Sequence, residues 1–221
     1  MNANSKRKRR SGPGRPEGQT GLREEILDAA EAVFADLGYS GAPLRRVAEA
    51  AGVTTALINY YFGSKHQLYE EVYLRKAISI SKARLENLHA LEQSGKELDA
   101  QALVRAFLEP AIKMRQTPDG ATFLRLQWGV HTEPKELSNA LRSRAYDEST
   151  HAYAAALQRA MPDLSKSAAY SRLILMIGAT LYVFSDTHRL DELVPDIDSS
   201  AQADVIVSEL ATVLTKGIAT G

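Results

Sequence analysis

The sequence predicts an all-α protein in two parts, a small N-terminal three-helix domain and a larger helical domain behind it. Three observations lead there. Apolar residues recur at three- and four-residue steps along most of the chain, the period of a helix face. No alternating run of about four to eight residues supports a sheet. Glycine plus proline is 22 of 221 residues, too few for a collagenous or low-complexity chain.

The elements follow in order. Leu22, Ile26, Ala29, Ala30, Val33 and Leu37 mark one helix, stopped by Gly38. A short helix over 44–51 ends at Gly52, and another over about 54–61 ends at Gly63-Ser64. Ser64 with Gln67 three residues on is a capping-box signature, so a long helix starts there and ends near Ser94-Gly95. Further helices are predicted over about 99–117, 121–131, 135–160, 166–190 and 200–216. Pro118-Asp119-Gly120, Pro134, Pro162 and Pro195 mark the breaks, and Pro110 is expected to kink the helix that contains it. This organisation gives a basic arm over 1–21 that is expected to be disordered, a three-helix domain over 22–69 and a helical domain over 70–221.

Composition narrows the function classes. The chain is 44% hydrophobic and 24% charged, enough for a packed core. It has no cysteine, which excludes disulfides, thiolate metal sites and cysteine nucleophiles and fits a reducing, cytoplasmic setting. No apolar run reaches the ~20 residues that span a bilayer. Leu173 to Phe184 comes nearest and reads as a buried helix that contacts both its own core and a second subunit. His131, His151 and His188 lack metal-ligand spacing, and neither a Ser-His-acid set nor paired carboxylates are legible. An enzyme, a metal site or a bound cofactor is therefore not expected.

The net charge is zero, but it is unevenly placed. Residues 1–21 carry six basic and one acidic side chain, against six and eight over 22–76 and fifteen and eighteen over 77–221. The arm, with Arg9 and Arg10 in its basic run and Arg15 beyond, suits a polyanion, most simply nucleic acid; a solubilising tail is the alternative. Gly14-Arg15-Pro16 resembles the core of an AT-hook, which lays an arginine in a narrow minor groove, although Pro13 stands where a basic residue usually precedes that core.

The informative stretch is LRRVAEAAGVTTALINYYFGSK, 44–65. Two short helices meet at Ala51-Gly52-Val53, and Val47, Val53, Ile58 and Phe62 are placed to share a core. Thr54, Thr55, Asn59 and Tyr60 are then left on the outer side, the layout of a helix-turn-helix whose second helix enters the major groove. Asn59 is of the type that pairs bidentately with adenine. Lys65, in the first turn of the next helix, faces the positive end of the helix dipole, a cost that a docked phosphate reverses. Tyr61 is near enough to add its hydroxyl, and Arg45 or Arg46 to reach the backbone or a guanine edge. An ordinary helical hairpin with a polar outer face is the alternative reading.

On these residues, 22–69 resembles the DNA-binding domain of the TetR/AcrR family of bacterial transcriptional regulators, most closely over AGVTTALINYYFGSKHQLY, Ala51 to Tyr69. The resemblance implies a homodimer on a palindromic operator of double-stranded DNA, with a ligand-binding and dimerisation domain behind. It places Thr54, Thr55, Asn59 and Tyr60 on bases, Tyr61 and Lys65 on phosphate, and Arg45 where it can touch a base. The sequence departs from the family in Pro43, where Ser or Thr usually caps the helix, in Arg46, often acidic, and in Asn59, frequently Tyr. The last two long helices, the second carrying Val205, Ile206, Leu210, Val213 and Leu214, are expected to pair with their dimer mates.

Phe107, Met114, Leu124, Trp128, Met176 and Tyr182 are candidates to line a ligand cavity, with His131 and Tyr153 as polar anchors; a plain core role is the alternative for each. The stretch from Phe123 to Leu190 resembles, more loosely, the C-terminal domain of fatty-acid-responsive family members, through FLRLQW, Glu133-Pro134, Met161-Pro162-Asp163-Leu164 and Ile177-Gly178-Ala179. That implies a small hydrophobic effector such as a fatty acid or acyl-CoA. The expected function is a ligand-released repressor. An activator, a regulator governed by a protein partner and a non-specific DNA-coating protein are the rivals.

Overall fold

The computed structural model describes residues 17–185, 192–193, 208–214 and 216–218. Eight α-helices run in order through its continuous part: α1 (Glu17–Gly41), α2 (Leu44–Ala50), α3 (Thr55–Phe62), α4 (Lys65–Gln93), α5 (Ala100–Arg115), α6 (Pro118–Gly129), α7 (Lys135–Ala160) and α8 (Lys166–Phe184). A 3₁₀ turn, Val130–Thr132, joins α6 to α7. The described parts of 208–218 are helical. Of the last predicted helix, Val205 and Ile206 lie outside the described residues, as do residues 186–190 of the one before it.

Local chemistry sets most boundaries. Gly38, at φ 68°, breaks α1 where predicted, although three residues of helix follow it to Gly41. A side chain at Gly38 would also meet Glu133 Oε1 at 2.8 Å, so backbone sign and space both select glycine there. Pro43 leaves α2 without a side-chain cap. Ser64 caps α4 through Gln67 N–H, but the Gln67 side chain meets the Ser64 hydroxyl rather than its backbone N–H, so only half of the expected capping box forms. The predicted start of α6 at 121 is corrected to Pro118. Proline has no N–H to lose at the first helical position, and Thr117 caps the turn by accepting from Gly120 N–H at 3.1 Å. α5 runs through Pro110 as one element.

One apolar core begins in α1–α3 with Ile26, Phe34, Val47, Ile58 and Phe62. It continues without a gap through Leu68, Val72 and Tyr73 of α4 to Phe123, Val130 and Leu141. A second core, with Phe107, Tyr153, Leu173 and Met176, joins α4, α5, α7 and α8. α4 is thus shared by both halves. Glu31 of α1, 3% exposed, holds Arg75 at 3.2 Å and Lys76 at 2.5 Å, both on α4. Lys76 also donates to the Asp119 carbonyl at the start of α6.

α8, expected to bury its apolar surface against both its own core and a second subunit, meets the first of these within this chain. Leu173, Met176, Leu181 and Phe184 face inward, but Ile174 and Leu175 are 65% and 70% exposed and Tyr182 is exposed beside them. At 19 residues α8 is long and apolar enough to cross a membrane by length and composition, more than its twelve-residue apolar run foretold. It packs against α6 and α7, and its outward stripe is an unmet apolar face on a folded body.

Candidate nucleic-acid interface and the cavity behind it

The turn between α2 and α3 is two helix caps placed back to back. Val53 N–H reaches the Ala48 carbonyl at 2.9 Å and Gly52 N–H the Glu49 carbonyl at 3.3 Å, the paired bonds of a Schellman ending with glycine in the left-handed region at φ 64°. Thr54 then caps α3, its Oγ1 accepting from Leu57 N–H at 3.2 Å. Thr54 therefore sits just before α3 rather than in it, and its hydroxyl proton remains for an outside acceptor. Ile58 and Phe62 turn inward, Val53 is half-buried, and Gly63 closes the helix at φ 74°.

The outer face follows. Asn59 and Tyr60 are exposed, Tyr60 by 79%, and Thr55 is half-buried beside them. Ala56, not foreseen, is also exposed, four residues before Tyr60; the stripe Thr55–Asn59 and Ala56–Tyr60 carried the signal. A small side chain there lets the helix backbone approach a groove. Tyr60 and Tyr61 meet edge to face at 5.4 Å. The face carries no charge of its own and is flanked by cations. Arg45 and Arg46 share Glu49 at 3.4 Å each, and all three are exposed. Exposed pairs of this kind are worth about 0–1 kcal/mol, so either arginine can exchange Glu49 for a phosphate.

Lys65 Nζ lies 4.7 Å over the Tyr39 ring. Burial lowers its pKa, and the Glu133 carboxylate works against that shift. Glu133 itself accepts from Tyr39 N–H at 2.6 Å and from the Ser40 hydroxyl at 3.2 Å. The turn after α6 is thus tied to the end of α1, next to Lys65. Arg9, Arg10 and Arg15 lie outside the described residues.

Two family models match the chain. Residues 26–72 fit the model described as bacterial regulatory proteins, tetR family, and 105–217 fit the tetracyclin repressor-like C-terminal domain. The chain belongs to the TetR family. A curated relative, the HTH-type transcriptional regulator BetI of Escherichia coli, is 34% identical over 82 residues, 37% of this chain and 42% of that protein. The match therefore spans less than half of the relative's length. Among solved structures, the TetR family transcriptional regulator PfmR of Thermus thermophilus superposes with a TM-score of 0.58 at 18% identity, covering 86% of this chain and 97% of that one. The fatty acid degradation regulator FadR of Bacillus halodurans gives 0.59 at 17%, covering 88% and 98%. These likenesses extend the TetR fold over both halves, and the family makes the protein a DNA-binding regulator rather than a catalyst.

Behind the TetR-type reading head, α4, α6, α7 and α8 enclose a cavity of about 570 Å³. Leu124, Trp128 and His131 line it, together with Ile174, Ile177, Leu181 and Phe184. Five other candidates do not. Phe107 and Tyr153 are fully buried against each other at 5.1 Å, with the Tyr153 hydroxyl donating to the Arg84 carbonyl at 2.9 Å. Met176 belongs to the same core, and Met114 packs on the first one. Tyr182 stands outside the lining, edge to face with Trp128 at 6.3 Å. Helical spacing selected these residues correctly as apolar but could not tell a packed face from a hollow one. Burial lowers the His131 pKa, and nearby Arg142 lowers it further, both favouring the neutral ring. Arg84, Gln127, Arg142 and Tyr146, which also line the cavity, were not foreseen.

Proposed function

We propose that the protein is a homodimeric transcriptional repressor that binds a palindromic operator and leaves it when a small hydrophobic effector enters the cavity. The observation that carries the DNA half is the uncharged outer face of α3, with Asn59 and Tyr60 exposed and Thr55 half-buried beside them, flanked by Lys65, Arg45 and Arg46. Thr54, Asn59 and Tyr60 read base edges, while Tyr61 and Lys65 hold phosphate. The dimer is supported by the outward apolar stripe of α8, Ile174, Leu175 and Tyr182. The last helix adds Val213, also exposed.

Replacing Lys65 by Ala is expected to weaken operator binding about tenfold at ~150 mM salt and to flatten the log–log salt dependence by about one unit per subunit. Fluorescence anisotropy across a salt series checks this. An unchanged slope would remove Lys65 from the phosphate set.

Release needs an effector that binds the DNA-free conformation more tightly, by the amount of that difference and no more. The route we propose is the 3₁₀ turn: His131 lines the cavity, and Glu133, two residues on, grips Tyr39 and Ser40 beside Lys65. Glu133→Ala is expected to leave an acyl probe bound while raising the concentration for half-release of operator by about fivefold or more. Release at the original concentration would place the coupling elsewhere. Of the two acyl effectors the sequence suggests, a fatty acid brings a free carboxylate and an acyl-CoA an uncharged thioester next to its chain.

A further inference from the structure

The apolar lining does not account for the charge inside the cavity. Arg84, on α4, is 6% exposed and contributes to the cavity wall. Its Nε donates to the Phe107 carbonyl at 3.0 Å, and its guanidinium carbon lies 3.6 Å from the Phe107 ring centroid and 5.6 Å from that of Tyr146. Of the five N–H donors of an arginine, this uses one. Among the described residues, no carboxylate lies within ion-pair distance of Arg84 and no acceptor takes its terminal N–H groups. The charged groups nearby do not supply a counter-ion. Tyr73, Tyr146 and Tyr153 are neutral, and burial pushes all three hydroxyls up. Arg142, on the same wall, donates to the Ser138 carbonyl at 3.2 Å and Asn139 Oδ1 at 2.6 Å. Asp147 is the one carboxylate in the lining; it is exposed and already accepts from the Ser143 hydroxyl.

Burying a cation without a counter-charge is costly, the one carbonyl and the two rings offset only part of that cost, and packing does not call for it, since methionine has comparable reach and no charge. Burial pulls the Arg84 pKa to about 10, still well above neutrality, so the guanidinium remains charged. The floor of the cavity is rich in donors. Tyr146 accepts from Gln127 Nε2 at 2.8 Å, which leaves its own O–H to donate. The mouth is apolar, at half-exposed Trp128 and at Ile174.

We infer that the occupant of this cavity is an amphiphilic anion, its oxyanion seated on the terminal N–H groups of Arg84 and its apolar chain lying along Leu124, Ile177, Leu181 and Phe184 toward Trp128. The inference rests on the reading of the cavity as an effector site. It favours a free carboxylate over a thioester. It also gives the anion leverage, because Arg84 stands about 28 Å along the same helix from Lys65, at 1.5 Å per residue.

The test uses full-length protein and the fluorescence of Trp128, the single tryptophan, titrated with decanoate, its uncharged methyl ester and decylamine. Decanoate is expected to bind at least about tenfold more tightly than the ester, with the cation weakest, as a charge-assisted hydrogen bond would give. Arg84→Met should remove that preference and leave the ester unchanged, while Arg84→Lys retains part of it. Equal affinity for decanoate and ester, a preference that survives Arg84→Met, or no binding by any of the three would overturn the inference. If Arg84→Met fails to fold, the three-compound comparison on the wild type and the Arg84→Lys titration still decide. Operator release separates this from the broader reading. Decanoate that binds without releasing DNA sinks effector release and leaves the anion seat standing. Release by the ester as readily as by decanoate does the reverse.

Discussion

Glu31→Ala is expected to destabilise the protein by about 3 kcal/mol, the lower end for breaking a buried ion pair from one side. The carboxylate is 3% exposed and bonds two α4 cations, Arg75 at 3.2 Å and Lys76 at 2.5 Å. Without it, Arg75 keeps Asp28 at 2.8 Å and Glu24 at 3.2 Å, which is why the larger values in that range are not expected. Lys76 keeps only the Asp119 carbonyl at 3.0 Å and becomes a half-buried cation without a counter-charge. The loss is structural first, because this cluster fastens α1 to α4 and α4 to the start of α6. Urea unfolding at fixed protein concentration measures it, since a dimer's stability depends on concentration. A loss below about 1 kcal/mol would mean the cluster behaves as a surface network.

Ile58→Ala is expected to remove about 2–5 kcal/mol and operator binding with it. Ile58 is fully buried and sits on the inner face of α3, in the core that also holds Val47 and Phe62. An eight-residue helix is too short to persist alone, so this packing is what positions Thr55, Asn59 and Tyr60. Asn59→Ala, on the outer face of the same helix, is the matched control. It should leave stability within about 0.5 kcal/mol while lowering operator affinity. A pair of variants that lost stability and binding in the same proportion would mean that Asn59 supports the fold rather than reads DNA.

Much of the reading head was legible because its boundaries are chemical. Gly52 and Gly63 adopt positive φ, and Thr54 and Ser64 cap with their hydroxyls, so punctuation and structure coincide. Pro118 misled because proline marks both the end of one segment and the first residue of the next. α8 was legible as apolar all round, and the chain alone covers one side of it, leaving Ile174 and Leu175 outward, as the reading of a helix shared between its own core and a second subunit requires. The cavity was the least legible part. Aromatic residues drew attention, yet Phe107 and Tyr153 fill the core they line. The useful signal was a charge in phase with apolar positions. Arg84 follows Ala77, Ile80 and Ser81 and precedes Leu88 on the buried stripe of α4, and such a residue points inward whatever its polarity.

The central claim, a specific dimeric DNA-binding regulator, is tested most directly by selecting genomic fragments with purified full-length protein at about 150 mM salt, where charges more than ~8 Å apart are screened, and sequencing what is retained. Enrichment of one palindrome, with half-sites spaced for two recognition helices on one dimer, is the predicted result. Broad A·T-rich enrichment without a palindrome would contradict it and assign the binding to the basic arm.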